Sequence, residues 1–187
     1  PPSVIEDLSW IKPGRALWSW WEDMNGAQLY LESRDYVDMA AAYGFEGVTL
    51  DCGWDDSWVK DLCEYAHKKN IQIWIWSPMQ RLDTREKAEK LIRLWASWGV
   101  DGLKIDFFES QHTMWQYQMM AELMIKNKLM INFHGSVKPM GEGRTWPNFM
   151  TAEGIMGMEH YQWSNLPDSV HNCTVPFTRN VAGPMDY

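Results

Sequence analysis

Short apolar runs alternate along the chain with longer stretches whose apolar residues recur at helical spacing. The runs predict strands at 15–21, 47–51, 71–76, about 100–106, 129–133 and 149–153. The helical stretches predict one helix capped by Ser33 and ended by Gly44, and others at 58–69, 84–98 and about 113–127. Strands that alternate with helices in this way are typical of an α/β fold with a parallel sheet and right-handed crossovers.

The arrangement favours a barrel over an open nucleotide-binding sheet. No Gly-x-Gly-x-x-Gly motif or Walker loop follows any predicted strand. We therefore expect a (β/α)8 TIM-type barrel in which residues 1–187 form one domain. Six clear strands, with a seventh near 176–182, are too few to close it, so the barrel should be incomplete in this chain. Because an open parallel edge promotes aggregation, self-association or a missing segment should complete the barrel.

Composition excludes several classes of partner. The net charge of -8 argues against a broad basic surface for nucleic acid, and no apolar run reaches the length of a membrane span. The first residues do not resemble a secretory signal. The three cysteines (Cys52, Cys63 and Cys173) lack metal-type spacing, and an odd number cannot form a complete disulfide set. We expect them to be free and mostly buried.

Tryptophan is unusually abundant, with 13 residues in the chain, and many lie near predicted strand ends. Sugar-binding clefts use aromatic faces in this way. Aromatic side chains also fill cores, and for any single tryptophan the core interpretation is favoured.

Polar side chains follow the predicted strands where each strand ends. They are Asp51, Asp106, His134, Glu153 and, slightly later, Glu159. In a parallel barrel these positions converge on one face. Two carboxyl groups across a cleft are what glycoside hydrolysis requires. Lys104 lies two residues before Asp106, on the same strand face, where it would keep Asp106 ionised and could bind a sugar hydroxyl. The structural alternative is an ion pair that closes the strand.

The same carboxylates could bind a cation. Glu153 and Glu159 could gather calcium, which takes several oxygen ligands. A lone histidine such as His134 is more often a hydrogen-bonded structural group. No HExxH or similar set is present, which argues against a zinc hydrolase.

An ordered set of motifs covers nearly the whole chain from residue 10 onward. It comprises Trp10–Gly14, Trp18–Trp21, Tyr36–Ala41, Asp51–Trp54, Lys104–Phe107, His134–Pro139, Arg144–Asn148, Glu153–Gly154, Gly157–Glu159, Pro176–Arg179 and Gly183–Tyr187. This order resembles glycoside hydrolase family 97, the bacterial α-glucosidases and α-galactosidases. Each motif is weak alone, and the ordered set is strong.

The resemblance implies a mechanism. Inverting members carry Glu directly after the strand-five His and lack the Asp that ends strand four. Here Gly135 follows His134, and Asp106 is present. The chain therefore resembles the retaining branch, an exo-acting α-glycosidase and most closely an α-galactosidase, with Asp106 as nucleophile and Glu159 as acid/base.

The resemblance also implies ligands. Calcium would be the cofactor, with Glu153 and Glu159 among its ligands. An oligosaccharide or glycoside would be the substrate. The residues expected to orient its hydroxyls are Asp51, Trp54, Lys104, His134 and Arg144. Relatives add an N-terminal β-sandwich, which supplies further calcium ligands, and a C-terminal β-domain. Both are missing here, so the isolated piece could be inactive. A periplasmic or secreted bacterial location is implied.

Two other functions stay open. One is a carbohydrate-binding or scaffold module that keeps the aromatic cleft without turnover. The other is an unrelated zinc-dependent barrel hydrolase. The sequence does not choose among galactose, glucose and arabinose as the sugar.

Overall fold

The structure is half of a barrel built from one parallel sheet. The computed structural model describes residues 2–22, 28–108 and 114–187. Each strand pairs with the next one along the chain, and the sheet is curled. The strands are β1 (Ala16–Trp18), β2 (Gly47–Leu50), β3 (Gln72–Pro78), β4 (Gly102–Asp106), β5 (Met130–Phe133) and β6 (Phe149–Ala152). The predicted α/β class and incomplete barrel are confirmed.

The described chain forms six α-helices, of which the first four bury apolar side chains in the core. They are α1 (Tyr30–Tyr43), α2 (Val59–His67), α3 (Arg85–Ser97), α4 (Met114–Lys126), α5 (Glu142–Thr145) and α6 (Ser169–Thr174). Each of the first four lies between consecutive strands, as the alternating pattern predicts. The helix prediction at 113–127 begins on Thr113, which lies outside the described residues. In the described part of the chain, no helix has both the length and the apolar character that crossing a bilayer demands.

The two faces of the sheet have different chemistry. Outward side chains are apolar and form the core with the helices, namely Val48, Leu50, Ile73, Ile75, Leu103, Ile105, Ile131 and Phe133. Burying each such side chain stabilises the fold by roughly 1.5–3 kcal/mol. Inward side chains are polar or aromatic and line a concave pocket, namely Trp18, Thr49, Trp74, Lys104, Asn132 and Thr151. Alternation along the strands produces both faces at once, except in β6, where the consecutive residues Met150 and Thr151 both line the pocket.

Two helix ends have clear caps in the structure, and one predicted cap is wrong. Gly44 ends α1 in the left-handed region (φ 73°), and its N–H donates to the Ala40 carbonyl. Thr84 caps α3 by accepting a hydrogen bond from the Lys87 amide at 3.3 Å. The prediction that Ser33 caps α1 is wrong, because the helix begins at Tyr30 and Ser33 is buried within it. The apolar stripe used for that prediction starts one turn too late.

Two further predictions need correction. The seventh strand near 176–182 is absent from the described chain, where short 3-10 turns occupy Val175–Phe177 and Arg179–Ala182. A single bridge pairs Ala152 with Met185 instead. All three cysteines are free, as predicted, but only Cys63 is buried, while Cys52 and Cys173 are exposed. Cys63 is buried in the core from α2, whereas Cys52 follows the end of β2 and Cys173 lies on the short helix α6, which buries no residue.

A carboxylate at the start of β4 fixes the start of β3. The Oδ2 atom of Asp101 accepts the backbone N–H of Ile73 at 2.8 Å and lies 2.9 Å from Nε2 of His67, at the end of α2. The hydrogen bond to Asp101 raises the pKa of His67 above its ordinary value. The protonated imidazole is therefore stabilised in the folded chain relative to the unfolded one.

We expect this pair to make stability depend on pH. Because the folded pKa of His67 is the higher one, its contribution is complete below the unfolded pKa near 6.5 and is lost as pH rises through the folded pKa. His67→Gln should lower the melting temperature more at pH 5 than at pH 8.5. Thermal melts of both proteins at the two pH values test this. An equal difference at both would contradict it.

Candidate active site

Asp106 ends β4 and is nearly buried, with 6% of its surface exposed. Its Oδ2 accepts a hydrogen bond from Nε1 of Trp76 at 2.9 Å and lies 3.4 Å from Nδ1 of His134. Its Oδ1 accepts the amide of Phe107 at 2.7 Å. Burial acts to raise the pKa of Asp106. His134, Trp76 and the charge of Lys104 together outweigh burial and hold that pKa below its usual range. The carboxylate is thus kept ionised although it is buried.

His134 connects the carboxylates of the site. It directly follows β5, and its Nε2 lies 3.6 Å from Oε1 of Glu153 and 3.7 Å from Oδ2 of Asp186. Burial acts to lower the pKa of His134, and Lys104 acts in the same direction. The contact with Asp106 and the charge of Glu153 outweigh both, so the pKa is raised overall. A protonated ring would sit among three acids and balance part of their charge.

Glu153 and Glu159 reach the same ring from different segments. Glu153 follows β6, and its Oε2 accepts the amide of Gly135 at 2.7 Å. Glu159 lies in the first turn of the 3-10 helix Met158–Gln162. One ligand atom from each of His134, Glu153 and Glu159 lies within 4.8 Å of the other two. The two predicted catalytic acids, Asp106 and Glu159, therefore share His134 as a neighbour.

This group of three can hold a metal ion. Burial is the main factor that raises the pKa of Glu153, and the charges of Glu159 and Asp106 add to it. A divalent cation would relieve that repulsion. Two carboxylates suit calcium, although they supply only part of the six to eight oxygen ligands it takes.

A second buried charge cluster lies beside the first, on the inner face of the sheet. Nζ of Lys104 and Oδ2 of Asp51 are 2.9 Å apart, and both side chains are 5% exposed. Nε1 of Trp18 donates to the same oxygen at 2.6 Å, and the ammonium lies 4.2 Å from the centroid of the Trp18 ring. The backbone amide of Cys52 donates to the other Asp51 oxygen at 2.7 Å. Lys104 is therefore bonded directly to Asp51, while its charge also helps to hold the pKa of Asp106 low, as the sequence predicts.

The pocket between these clusters has a volume of about 380 Å³. The residues that line it near the strand ends are Trp18, Trp21, Lys104, His134, Glu153, Glu159 and Asp186. Charged groups and aromatic faces thus share one cavity, as sugar binding requires.

Two predicted substrate residues lie elsewhere. Trp54 packs edge-on against Trp95 of α3, with ring centroids 5.9 Å apart, and donates its Nε1 to the Trp76 carbonyl at 2.8 Å. Arg144 is exposed on α5, which precedes the start of β6. The structure does not bring either side chain into the group around His134.

Two residues of the site were not predicted as site residues from the sequence. Trp76 holds Asp106, and alternation along β3 could have placed it on the inner face. Asp186 accepts a hydrogen bond from Nδ2 of Asn132 at 2.7 Å. Asp186 belongs to the Gly183–Tyr187 motif, but its place in the site depends on the return of the chain to β5, which the motif does not show.

Arg179 holds the β6 end of the site together. It is 6% exposed, and its guanidinium donates to backbone carbonyls. The acceptors are Ala152, Glu153, Gly154, Gly183 and Pro184, at 2.7–3.3 Å. The residue therefore ties the turn that carries Glu153 to the segment that carries Asp186.

The chain is similar to known proteins along its whole length. A family model described as Glycoside hydrolase 97 matches residues 10–155. A retaining alpha-galactosidase of Bacteroides thetaiotaomicron is 36% identical over 210 residues, which cover 100% of this chain and 31% of that protein. The chain thus spans about a third of the length of the curated relatives it matches.

Solved structures show the same fold. A beta-arabinopyranosidase superposes with a TM-score of 0.91 at 26% identity, covering 100% of this chain and 33% of that one. A glycoside hydrolase family 97 enzyme from Pseudoalteromonas sp. strain K8, in complex with acarbose, gives a TM-score of 0.87 at 26% identity and covers 100% and 36%. The half-barrel is therefore part of the barrel of these larger proteins.

We expect Arg179→Lys to destabilise the fold despite the conserved charge. A lysine ammonium cannot reproduce the planar fork, and buried carbonyls would lose their donors, so the free energy of unfolding should fall by about 2–4 kcal/mol. Urea unfolding measures this. Arg93→Lys, on the exposed face of α3, is the matched control and should change little. Equal effects for the two variants would contradict the role of Arg179.

Proposed function

Because this chain belongs to glycoside hydrolase family 97, we propose that it carries the catalytic pair of a retaining, exo-acting α-glycosidase. An α-galactosidase is the preferred member of that class, supported by the whole-chain match to a retaining alpha-galactosidase. One observation carries the proposal. Asp106, at the end of β4, and Glu159, after β6, both approach the His134 ring beside one pocket.

In the first step, a carboxylate oxygen of Asp106 attacks the anomeric carbon. The bond from that carbon to the glycosidic oxygen breaks, and Glu159 gives its proton to the departing oxygen. A glycosyl ester of Asp106 results. The lowered pKa of Asp106 supports this role, because a nucleophile must be ionised.

In the second step, Glu159 takes a proton from water. The water oxygen bonds to the anomeric carbon, and the ester bond to Asp106 breaks. Both acids return to their starting states, and the sugar is released with its original anomeric configuration.

The cluster of Lys104, Asp51 and Trp18 would orient sugar hydroxyls. The charges of Lys104 and Asp51 balance each other in the buried wall. A sugar hydroxyl can therefore accept a hydrogen bond from Lys104 and donate one to Asp51 while neither charge is left unpaired. The exposed ring of Trp21 offers an apolar face nearby. β-L-Arabinopyranosides share the ring configuration of α-D-galactopyranosides but lack the hydroxymethyl group, so they are the natural competing substrate.

We propose calcium as the bound cation, with Glu153 and Glu159 as ligands. When bound, calcium supplies positive charge that fixes the carboxylates and offsets their repulsion. Glu153 would stay ionised beside it. Calcium takes oxygen ligands, whereas His134 offers only nitrogen. We therefore assign His134 to holding Asp106 in place.

The rest of the longer protein would close the barrel between β6 and β1. On the inner wall, Oδ1 of Asn132 and Oγ1 of Thr151 are buried without a hydrogen-bond partner in the described chain. These two residues are neighbours in the β5–β6 register. Inward side chains of closing strands would satisfy them.

We expect Asp106→Gly in the full-length protein to lower kcat toward an aryl α-galactoside by about 10³-fold or more. Azide should restore product formation, because it can occupy the space of the lost carboxylate and attack the anomeric carbon. The expected product is the glycosyl azide of inverted configuration, which NMR identifies.

Unchanged activity in that variant would remove Asp106 from the nucleophile role. Asp55→Gly, at an exposed turn, is the control and should leave kcat unchanged. Sugar binding without release of product, in the unmodified full-length protein, would favour a carbohydrate-binding module. An aryl β-L-arabinopyranoside assayed in parallel tests the choice of sugar.

We expect a chelator to lower the activity of the full-length protein and calcium to restore it. Glu153→Gln should weaken calcium affinity at least about 10-fold, as measured by titration calorimetry. The reason is the loss of one charged ligand. Recovery with zinc and not with calcium would contradict the proposal and favour a zinc-dependent hydrolase.

A further inference from the structure

Gly135 lies directly against the carboxylate of Asp106. Its backbone is in the left-handed region, with φ +51°, a conformation that favours glycine. A Cβ atom added there would lie 2.6 Å from Oδ1 of Asp106 and 2.8 Å from the amide nitrogen of Phe107. Both distances are shorter than non-bonded atoms tolerate. Neither neighbour can yield easily, because one is backbone and the other is a short side chain bonded at both oxygens.

The turn after β4 completes the enclosure of this oxygen. Phe107 also has a left-handed backbone, with φ 62°, which is uncommon for a bulky residue. The amide of Phe107 donates to Oδ1 of Asp106 at 2.7 Å. The Phe107 ring is 51% exposed and packs edge-on against Trp76, with centroids 5.9 Å apart. Core burial therefore does not explain the left-handed conformation, which instead turns the chain toward the β5 end, where the Phe108 amide bonds to the Gly135 carbonyl.

The two loops are also bonded to each other. The amide of Phe108 donates to the Gly135 carbonyl at 3.1 Å, and the amide of His134 donates to the Ile105 carbonyl at 2.8 Å. These two hydrogen bonds between the ends of β4 and β5 thus fix the position of the Gly135 backbone beside Asp106. A side chain at 135 has no free direction in which to move away from Oδ1.

We propose that Gly135 is a positioning residue for Asp106: the missing side chain creates the space in which the carboxylate takes its reactive orientation. The proposal rests on the proposed nucleophile role of Asp106. Gly135 need not touch the substrate. A Cβ atom there would rotate or push the carboxylate, and a displacement near 1 Å can cost about 10²-fold in rate.

The test uses five full-length proteins: the unmodified enzyme, Gly135→Ala, Asp106→Ala, the double variant, and Gly44→Ala. Gly44 ends α1 with φ +73°, and a Cβ atom there meets nothing within 4 Å, so it controls for backbone strain alone. Kinetics on an aryl α-galactoside and thermal melts are measured for each.

Gly135→Ala should lower kcat about 10²-fold with little change in KM, while Gly44→Ala keeps its kcat. The fall in melting temperature caused by Gly135→Ala should be larger when Asp106 is intact than in the Asp106→Ala background. If Gly135→Ala fails to fold and the double variant folds, the result likewise shows that the added Cβ atom acts on the Asp106 carboxylate.

Three results would overturn the proposal. They are a normal kcat in Gly135→Ala, an equal fall in melting temperature in both backgrounds, and failure of both Gly135 variants to fold. Full activity of Asp106→Ala is a different result, because it would overturn the nucleophile role itself. An inactive Asp106→Ala beside a fully active Gly135→Ala would reject only the positioning role.

Discussion

The alternation of side chains along six parallel strands is the constraint on which this structure depends. On β4, Leu103 and Ile105 face the helices, while Lys104 lines the pocket and Asp106 contacts His134 beside it. Because all strands run in one direction, their carboxyl ends meet at one edge, and the acids gather there. A shift of register by one residue would bury the charges in the helix layer and expose the core. Packing of the apolar outer face against the helices therefore fixes the positions of the charged side chains on the inner face.

Buried charge at this edge is balanced locally. Lys104 and Asp51 neutralise each other, and His134 stands among Asp106, Glu153 and Asp186. Isolated charges in such an environment would be costly, whereas paired and hydrogen-bonded ones are tolerated. The consequence is that the two clusters differ in character. The Lys104 cluster is already compensated, while the cluster around His134 carries an excess of acid that suits a cation or a proton-transfer role.

The sequence predicts the elements well because periodicity is a local property. The strands and four helices appear within a few residues of their expected positions, and the strand-end acids follow from parallel topology. What the sequence misses depends on chain reversals. Asp186 and Arg179 reach the site only through turns after residue 174, a stretch with no clear period. Trp76 was not singled out because tryptophan is abundant throughout the chain. Arg144 was predicted as a substrate residue only from its motif.

The strands that supply the site are far apart in the chain. The Lys104–Asp51 contact joins residues separated by 53 positions, and each member of the His134 group comes from a different loop. Loop-closure entropy makes such non-local pairings slow to form, and they form late in parallel sheets. The group around His134 forms only when the ends of β4, β5 and β6 lie side by side. Assembly of the His134 group on refolding would consequently lag behind recovery of helical content, and would report the docking of the last strand.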